Sequence, residues 1–422
     1  MSFRIDLHDV ERGECIVLDS GGEILMVDCG SSSRIIRAGD VNFFDYVRGS
    51  LMPLYAGARR RSFLLTHCHR DHICGLWHIL RSDPLYFDRL FLPVSPVGGG
   101  GRPLLLEFAL YVYVFLSRAT EYSQVNTGVL RLFRRAVRPA GAERVFPVRA
   151  GDVFPFGGAE YEVLWPPEED FPFAPEFAAA VDRLDALMSP PVLPPCAREF
   201  LNLRQAFCAA YRSFCASSPV SGPGVSAASA LLARMGGLVP SLRLLPFAGR
   251  AAGFLSSSGV QRLYSQALNA ASVVFQNRRG RLSPHDILMT GDAPPETIAA
   301  VAPSLREGYF CLKAPHHGSQ SSFSPVLGSL AADHILISSG ASGSAGAVSP
   351  AYAAMPGVCH CTSCASCAAF QSGGCCSRLK VCYSLSRPAL AVACPFASSG
   401  RGSPPCGVRV LTPLGVRGCF CG

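Results

Sequence analysis

The segment Thr66-His67-Cys68-His69-Arg70-Asp71-His72 sets three imidazoles and a carboxylate within six residues, in a chain of 422 residues that holds only ten histidines. Imidazole nitrogens and carboxylate oxygens are the donors that divalent transition ions take. In an extended or looped backbone alternate residues face one way, so His67 and His69 can share one ion while Asp71 and His72 turn toward a second. Two further segments carry ligands of the same kind. Asp292 closes Ile287-Leu288-Met289-Thr290-Gly291-Asp292, where the glycine permits a sharp turn and the carboxylate can bridge two ions. His316-His317-Gly318-Ser319 follows the apolar run 309–313 through Ala314-Pro315. Adjacent strand residues point oppositely, so one of His316 and His317 is expected on a metal and the other on a carboxylate or the substrate. Cys68, between ligands, is expected to point into the core. His8, His285, His334 and His360 have no partner in sequence and read as surface or packed residues, as does His78 on the helix after the motif.

These ligands need rigid elements beneath them. Short β-branched or apolar runs bounded by Gly, Pro and Asp predict strands at residues 3–7, 14–18, 24–28, 62–66, 90–93, 152–156, 160–165, 271–276, 286–290, 309–313 and 334–338. A helix is predicted from residue 73 toward 81. The ligand segments all fall at the carboxyl ends of strands. The sum is a two-sheet α/β sandwich. Residues 97–148 and about 168–266 are apolar and helix-leaning with Pro/Ser/Gly breaks, and read as insertions or lids within a domain covering 1–352.

The order His-x-His-x-Asp-His, then Thr-Gly-Asp, then Pro-His-His-Gly-Ser resembles the metallo-β-lactamase fold. Within that superfamily the pattern is most similar to the metal-binding domain of ComEC-like competence proteins, through Asp9-Val10-Glu11-Arg12-Gly13-Glu14, Val27-Asp28-Cys29-Gly30, Ala150-Gly151-Asp152 and residues 269–274 as well. The resemblance covers residues 3–95, 148–167 and 268–352. It implies a metallo-β-lactamase-like αββα sandwich and two divalent metal ions, zinc first and manganese second. His67 and His69 would belong to the first site, Asp71, His72 and one of His316 and His317 to the second, and Asp292 would bridge, with Asp71 and Asp292 as the catalytic carboxylates. Lys313 and Ser319, with the backbone amides after Gly318, would hold a substrate phosphate. The implied activity is hydrolysis by metal-activated water, of phosphodiesters such as nucleic acid. Carboxylic or thiol esters or lactams are the alternative substrates, and a catalytically degenerate metal-binding module is the alternative outside enzymes. Three departures bear on this. No histidine lies between His78 and His285 to serve as a third ligand of the first site, and Ala347-Val348-Ser349-Pro350 stands where relatives often carry a His-Pro pair. Cys74 also stands where glycine is expected.

Composition limits the remaining classes. Hydrophobic residues make up 49% and charged residues 16%, yet the apolar run 104–116 is broken by Glu107 and falls short of a bilayer span. The N-terminus lacks the pattern of a secretory leader, so a cytoplasmic protein with no membrane partner is expected. The net charge of +8 sits largely at the end of the chain. No acidic residue follows Asp333, and removing Arg378, Lys380, Arg387, Arg401, Arg409 and Arg417 leaves the rest at +2. Eight cysteines scattered through the body read as reduced buried thiols. Eleven crowd residues 353–422, a Ser/Gly-rich stretch that reads as a disordered tail.

Overall fold

The computed structural model describes residues 3–37, 39–116, 130, 132–137, 141–278, 286–340, 348–362, 407–412 and 415–417. Alternation of apolar side chains builds two mixed sheets. The first has the order β17-β16-β1-β2-β3-β6-β7-β8, from β1 (Phe3–His8), β2 (Ile16–Ser20), β3 (Glu23–Val27), β6 (Arg60–Leu64), β7 (Arg89–Pro93), β8 (Val145–Val148), β16 (Gly407–Thr412) and β17 (Gly415–Arg417). The second has the order β15-β14-β13-β12-β11-β10-β9, from β9 (Val153–Phe156), β10 (Ala159–Trp165), β11 (Val274–Asn277), β12 (Ile287–Met289), β13 (Gly308–Lys313), β14 (Ala331–Ile337) and β15 (Val358–Cys361). A separate two-stranded ribbon joins β4 (Ile35–Ile36) to β5 (Val41–Asn42).

One parity of each strand faces the opposite sheet. Ile5, Leu7, Ile16, Leu18, Leu25, Val27 and Leu64 of the first sheet share a core with Tyr161, Val163, Phe275, Ile287, Met289 and Leu336 of the second. The other parity joins helices. Phe63, Leu65 and Leu90 cluster with Ile73 and Leu76 of α1 (Arg70–Ser82), while Leu288, Leu312 and Ile335 cluster with Ile298 and Val301 near the short helix Pro295–Val301. The layers are therefore α, β, β, α. Each fully buried Leu, Ile or Phe of the inter-sheet core contributes roughly 1.5–3 kcal/mol. A slip of one residue in register would turn these side chains away from the core, so the register that aligns the strand ends is strongly held.

The two insertions form one helical body. They supply α2 (Leu104–Phe115), α3 (Pro175–Leu187), α4 (Pro195–Cys215), α5 (Gly222–Arg243), α6 (Ala248–Ser256) and α7 (Ser258–Ala270). Phe108 of α2 stacks on Tyr264 of α7 at 4.5 Å. Arg102, paired with Glu107 of its own insertion at 2.5 Å, ties the first insertion to the second through Asp182 at 2.6 Å and Asp185 at 2.7 Å. Residues 145–148, read from sequence as insertion, are strand β8 and extend the first sheet. The apolar-span reading also passed over α5, whose 22 residues are long and apolar enough to cross a bilayer by length and composition. Here α5 carries Pro240 within it and buries Val225, Ala228, Leu232, Met235 and Leu242.

Part of the expected tail is structural. Val358–Cys361 pairs in parallel with β14 and buries Cys359, His360 and Cys361 at the edge of the second sheet. Residues 407–411 likewise pair with β1. Residues 363–406, with most of the tail cysteines, lie outside the described residues.

Between β14 and β15, His334 Nδ1 lies 3.0 Å from His360 Nε2, and the second nitrogen of each ring has no partner among the described residues. Burial pulls His334 down to about 4 and pulls His360 well below the ordinary histidine range, where His334 adds to the effect. Unfolded histidines titrate near 6.5, so below that pH the unfolded chain takes up protons that the folded chain refuses until about 4. Stability contributed by this pair is full above about 6.5 and declines as pH falls. Urea unfolding at pH 7 and pH 5 should show a loss of roughly 2 kcal/mol for each such ring, absent from the His334→Gln, His360→Gln double variant. The same pH dependence in both proteins would mean that the rings are not held neutral.

Candidate metal centre

The ligand segments meet at one edge of the sandwich because β3, β6, β12 and β13 all end there. Asp28, just beyond β3, is the first anchor. Its Oδ1 accepts the Thr66 amide at 2.7 Å and its Oδ2 accepts the Thr66 hydroxyl at 2.7 Å, so the chain leaving β6 is pinned at the first residue of the histidine motif. Helix α1 then starts from His69 as N-cap, with Asp71 in its first turn, where a carboxylate is favoured by the helix dipole. Gly291 holds φ +53 in the turn before Asp292, and a Cβ there would stand 2.9 Å from Thr66 Cβ. Glycine is thus needed for the two ligand loops to touch.

Asp292 is the centre of the cluster. Its Oδ2 lies 3.3 Å from His72 Nε2, 3.8 Å from His317 Nε2, 3.8 Å from His316 Nε2 and 3.9 Å from His67 Nε2. Three compact donor groups result: His67, His69 and Asp292; Asp71, His72 and His317; and Glu14, His72 and Asp292. Every metal residue expected from sequence other than His316 stands in one of them. His78 stacks on Phe44 at 3.5 Å as a packed helix residue. Cys68 is buried, as expected. Cys74 is also buried, with Sγ 3.3 Å from the Ser31 amide.

Hydrogen bonds decide which nitrogen each ring offers. The Thr66 hydroxyl gives its proton to Asp28, so it can only accept from His67 Nδ1–H at 3.1 Å, which leaves His67 Nε2 as a lone pair. Likewise His72 Nδ1–H donates to Asp28 Oδ2 at 2.7 Å, and His317 Nδ1–H donates to the Ser338 carbonyl at 3.0 Å. In each neutral ring Nε2 then carries the lone pair. His69 turns its Nδ1 toward His67 Nε2 at 2.9 Å and its Nε2 toward Ser265 Oγ at 3.0 Å. Ser265 belongs to α7, so the insertion itself orients His69.

His316 is wired differently. Ser319 Oγ donates to Ser322 Oγ at 3.0 Å, which frees the Ser322 hydroxyl to donate to His316 Nδ1 at 3.1 Å and puts the proton of His316 on Nε2. The pair does not alternate as strand residues would. His316, His317 and Gly318 hold φ values of +48, +57 and +75, a left-handed turn that points both rings at Asp292. A non-glycine residue held there costs on the order of 1–3 kcal/mol.

Two expected substrate residues are committed elsewhere. Lys313 is 2% exposed, and its Nζ lies 2.9 Å from Glu14 Oε2 and donates to the Gly291 carbonyl at 2.8 Å. It neutralises buried carboxylates. The amides of Gly318 and Ser319 bond back to the carbonyls of Pro315 and His316, because the left-handed turn folds them inward, and Ser319 Oγ is engaged with Ser322. Sequence reasoning missed Glu14, Asp28, Thr66 and Ser265. The first two lie in the segments that carried the family resemblance, while nothing marks Ser265 among the residues of the insertion.

The electrostatics follow from the crowding of acids. Burial opposes ionisation of Asp292, but His72, His317 and His316 outweigh it and hold the carboxyl well below the usual range. Burial likewise opposes charge on His72, and Asp292 and Asp28 override it to hold the ring above its ordinary value. Burial alone dominates at His69, which falls to about 4. A cleft of about 640 Å³ opens from Asp292 and His316 between the second sheet and the insertion, past Trp165, Phe171 and Leu263.

Comparison with protein-family models and with curated proteins finds no match. Among solved structures, the chain is similar to a metallo-β-lactamase HARLDQ-motif mutant from Cronobacter sakazakii, at 12% identity and TM-score 0.22, over 57% of this chain and 95% of that one. It is similar to the FEZ-1-Y228A mutant metallo-β-lactamase of Legionella gormanii at 10% identity and TM-score 0.23, over 58% and 97%. The subclass B3 metallo-β-lactamase BJP-1 of Bradyrhizobium japonicum gives 14% and 0.20, over 54% and 89%. Likeness at this level carries nothing by itself, and the site stands on the geometry above.

Asp28→Asn should weaken binding of added zinc about tenfold to hundredfold, the usual effect of removing a carboxylate behind a ligating histidine, as read by competition with a chromophoric chelator. His317→Ala should lower the bound metal per chain in elemental analysis while His316→Ala leaves it unchanged. Equal losses in the two histidine variants would contradict the proton assignments.

Proposed function

We propose that the chain is a metal-dependent hydrolase of the metallo-β-lactamase type, with His67, His69 and Asp292 holding one divalent ion and Asp71, His72 and His317 a second. One observation carries this reading. Among the described residues, His72 Nε2, His317 Nε2, Asp292 Oδ1 and Glu14 Oε1 are buried atoms with no hydrogen-bond partner, and Glu14, His72 and Asp292 meet as one compact donor group beside a cleft that Asp292 lines. Leaving such atoms unsatisfied costs about 1–3 kcal/mol each, and more for charged groups. Cations offset that cost. Zinc suits the imidazole and carboxylate set, and manganese is the second choice.

Bound there, a divalent pair supplies Lewis acidity that acidifies water and offsets the charge developing on a substrate oxygen. The chain's own groups do the rest. Asp71 is the carboxylate of the cluster that reaches solvent, its side chain 27% exposed against 2% for Asp292 and 1% for Glu14 and Asp28, so it is placed to take up a water proton. His316, 39% exposed, lines the cleft with its Nε2 3.8 Å from Asp292 Oδ2, where an Nε2–H can donate to a substrate oxygen that gains charge. Asp28 and Ser265 act as positioning residues through His72 and His69. Phosphodiester hydrolysis suits two metals and accords with the motif order that resembles ComEC-like domains. Ester hydrolysis needs the same constellation, and the engagement of Lys313 and Ser319 within the site favours it.

The test combines metal content with turnover of bis-p-nitrophenyl phosphate and of p-nitrophenyl esters by the zinc-loaded or manganese-loaded protein. At least one class should be hydrolysed and the activity removed by EDTA, and His316→Ala should keep its metal while losing about 100-fold in kcat. Stoichiometric metal with no turnover of either class would instead identify a metal-binding module without catalysis.

A further inference from the structure

The cleft beside the cluster has a chemical character of its own. Its walls are Trp165 from β10, Phe171 and Phe173 from the start of the second insertion, Leu263 and Ala267 from α7, and Pro294 just beyond Asp292. The wall is held rigidly. Trp165 Nε1 donates to the Ala270 carbonyl at 2.6 Å, Trp165 and Phe171 lie 5.5 Å apart, and Phe171 and Phe173 lie 4.6 Å apart. No lysine or arginine lines the cleft among the described residues, and its charged lining groups are the carboxylates Asp292 and Glu296. A volume of about 640 Å³ falls within the roughly 300–1,000 Å³ of small-molecule sites.

Resting on the hydrolase reading above, we propose that the substrate is an uncharged carboxylic ester carrying a bulky apolar group, which lies along the Trp165–Phe173–Leu263 wall while the ester carbonyl faces Asp292 and His316. Nucleic acids and other phosphodiesters are drawn by lysine and arginine, and even stacking sites for single strands sit in basic grooves. Away from the ions held at Asp292, this cleft offers them no basic side chain among the described residues, and its further charged group is the carboxylate of Glu296. An apolar chain instead gains from every methylene taken out of water. In the reaction the oxygen of water bonds to the acyl carbon and the acyl carbon–oxygen bond to the alcohol breaks. One proton of the water goes to the departing alkoxide and the other to solvent as the carboxylate forms. No oxidant or second substrate is required.

The experiment measures kcat/KM of the zinc-loaded full chain for p-nitrophenyl acetate, butyrate, hexanoate and octanoate, with bis-p-nitrophenyl phosphate and a fluorogenic single-stranded oligonucleotide alongside. Methylene burial is worth roughly fourfold each, so the proposal expects kcat/KM to rise by about 30-fold or more from acetate to hexanoate. Both phosphodiesters should be far slower. Phe173→Ala and, separately, Leu263→Arg should flatten the dependence on chain length while bound zinc and the circular-dichroism melting curve stay as in wild type. Zinc-dependent turnover of the phosphodiesters in preference to every ester, or ester turnover indifferent to chain length, overturns the substrate assignment and leaves the hydrolase standing. Bound zinc with no turnover of any of these substrates overturns both.

Discussion

The burial of carboxylates at the meeting point of two sheets is the constraint around which this molecule is arranged. Glu14, Asp28, Asp71 and Asp292 crowd one edge of the sandwich, and Lys313 is the fixed cation placed among them. Removing a carboxylate from water is costly unless it is paired or binds a metal. Lys313 neutralises part of the charge, and its own ammonium is held above its ordinary range because Glu14 and Asp292 outweigh burial. The remaining charge is what imidazoles with outward lone pairs, and the divalent cations proposed for this cluster, are suited to balance.

From that constraint the local wiring follows. Asp28 serves both the Thr66 loop and His72, so a single buried carboxylate fixes the path of the motif and the tautomers of His67 and His72. His316 and His317, adjacent in sequence, take opposite roles because Ser322 and Ser338 engage their Nδ1 atoms in opposite senses. The helical insertion joins the site at two levels. Ser265 orients His69, and Phe171, Phe173 and Leu263 shape the apolar cleft.

Much of this was legible in the sequence, for reasons that differ by element. Strands such as 62–66 and 309–313 are short apolar runs followed closely by histidine-bearing segments, so both their existence and the edge they share could be read from pattern. Val145–Val148 and Val358–Cys361 were absorbed into an insertion and a tail, since a strand holding prolines or cysteines lacks the usual β-branched signature. The ligands of the short motif declared themselves by density. The partners behind them did not, because Asp28 and Ser265 reach the site through tertiary packing from 44 and 196 residues away. For Lys313 and Ser319 the sequence places them beside the histidine pair but does not show the ion pair with Glu14 and the hydroxyl contact with Ser322 that engage them.

The central claim is that these residues bind metal at two adjacent positions, and anomalous diffraction above and below the zinc edge from crystals grown with zinc tests it most directly. The account predicts two anomalous peaks, one between His67, His69 and Asp292 and the other between Asp71, His72 and His317. Peaks confined to other groups, such as the histidine and cysteines of Val358–Cys361, with none at Asp292, would contradict it.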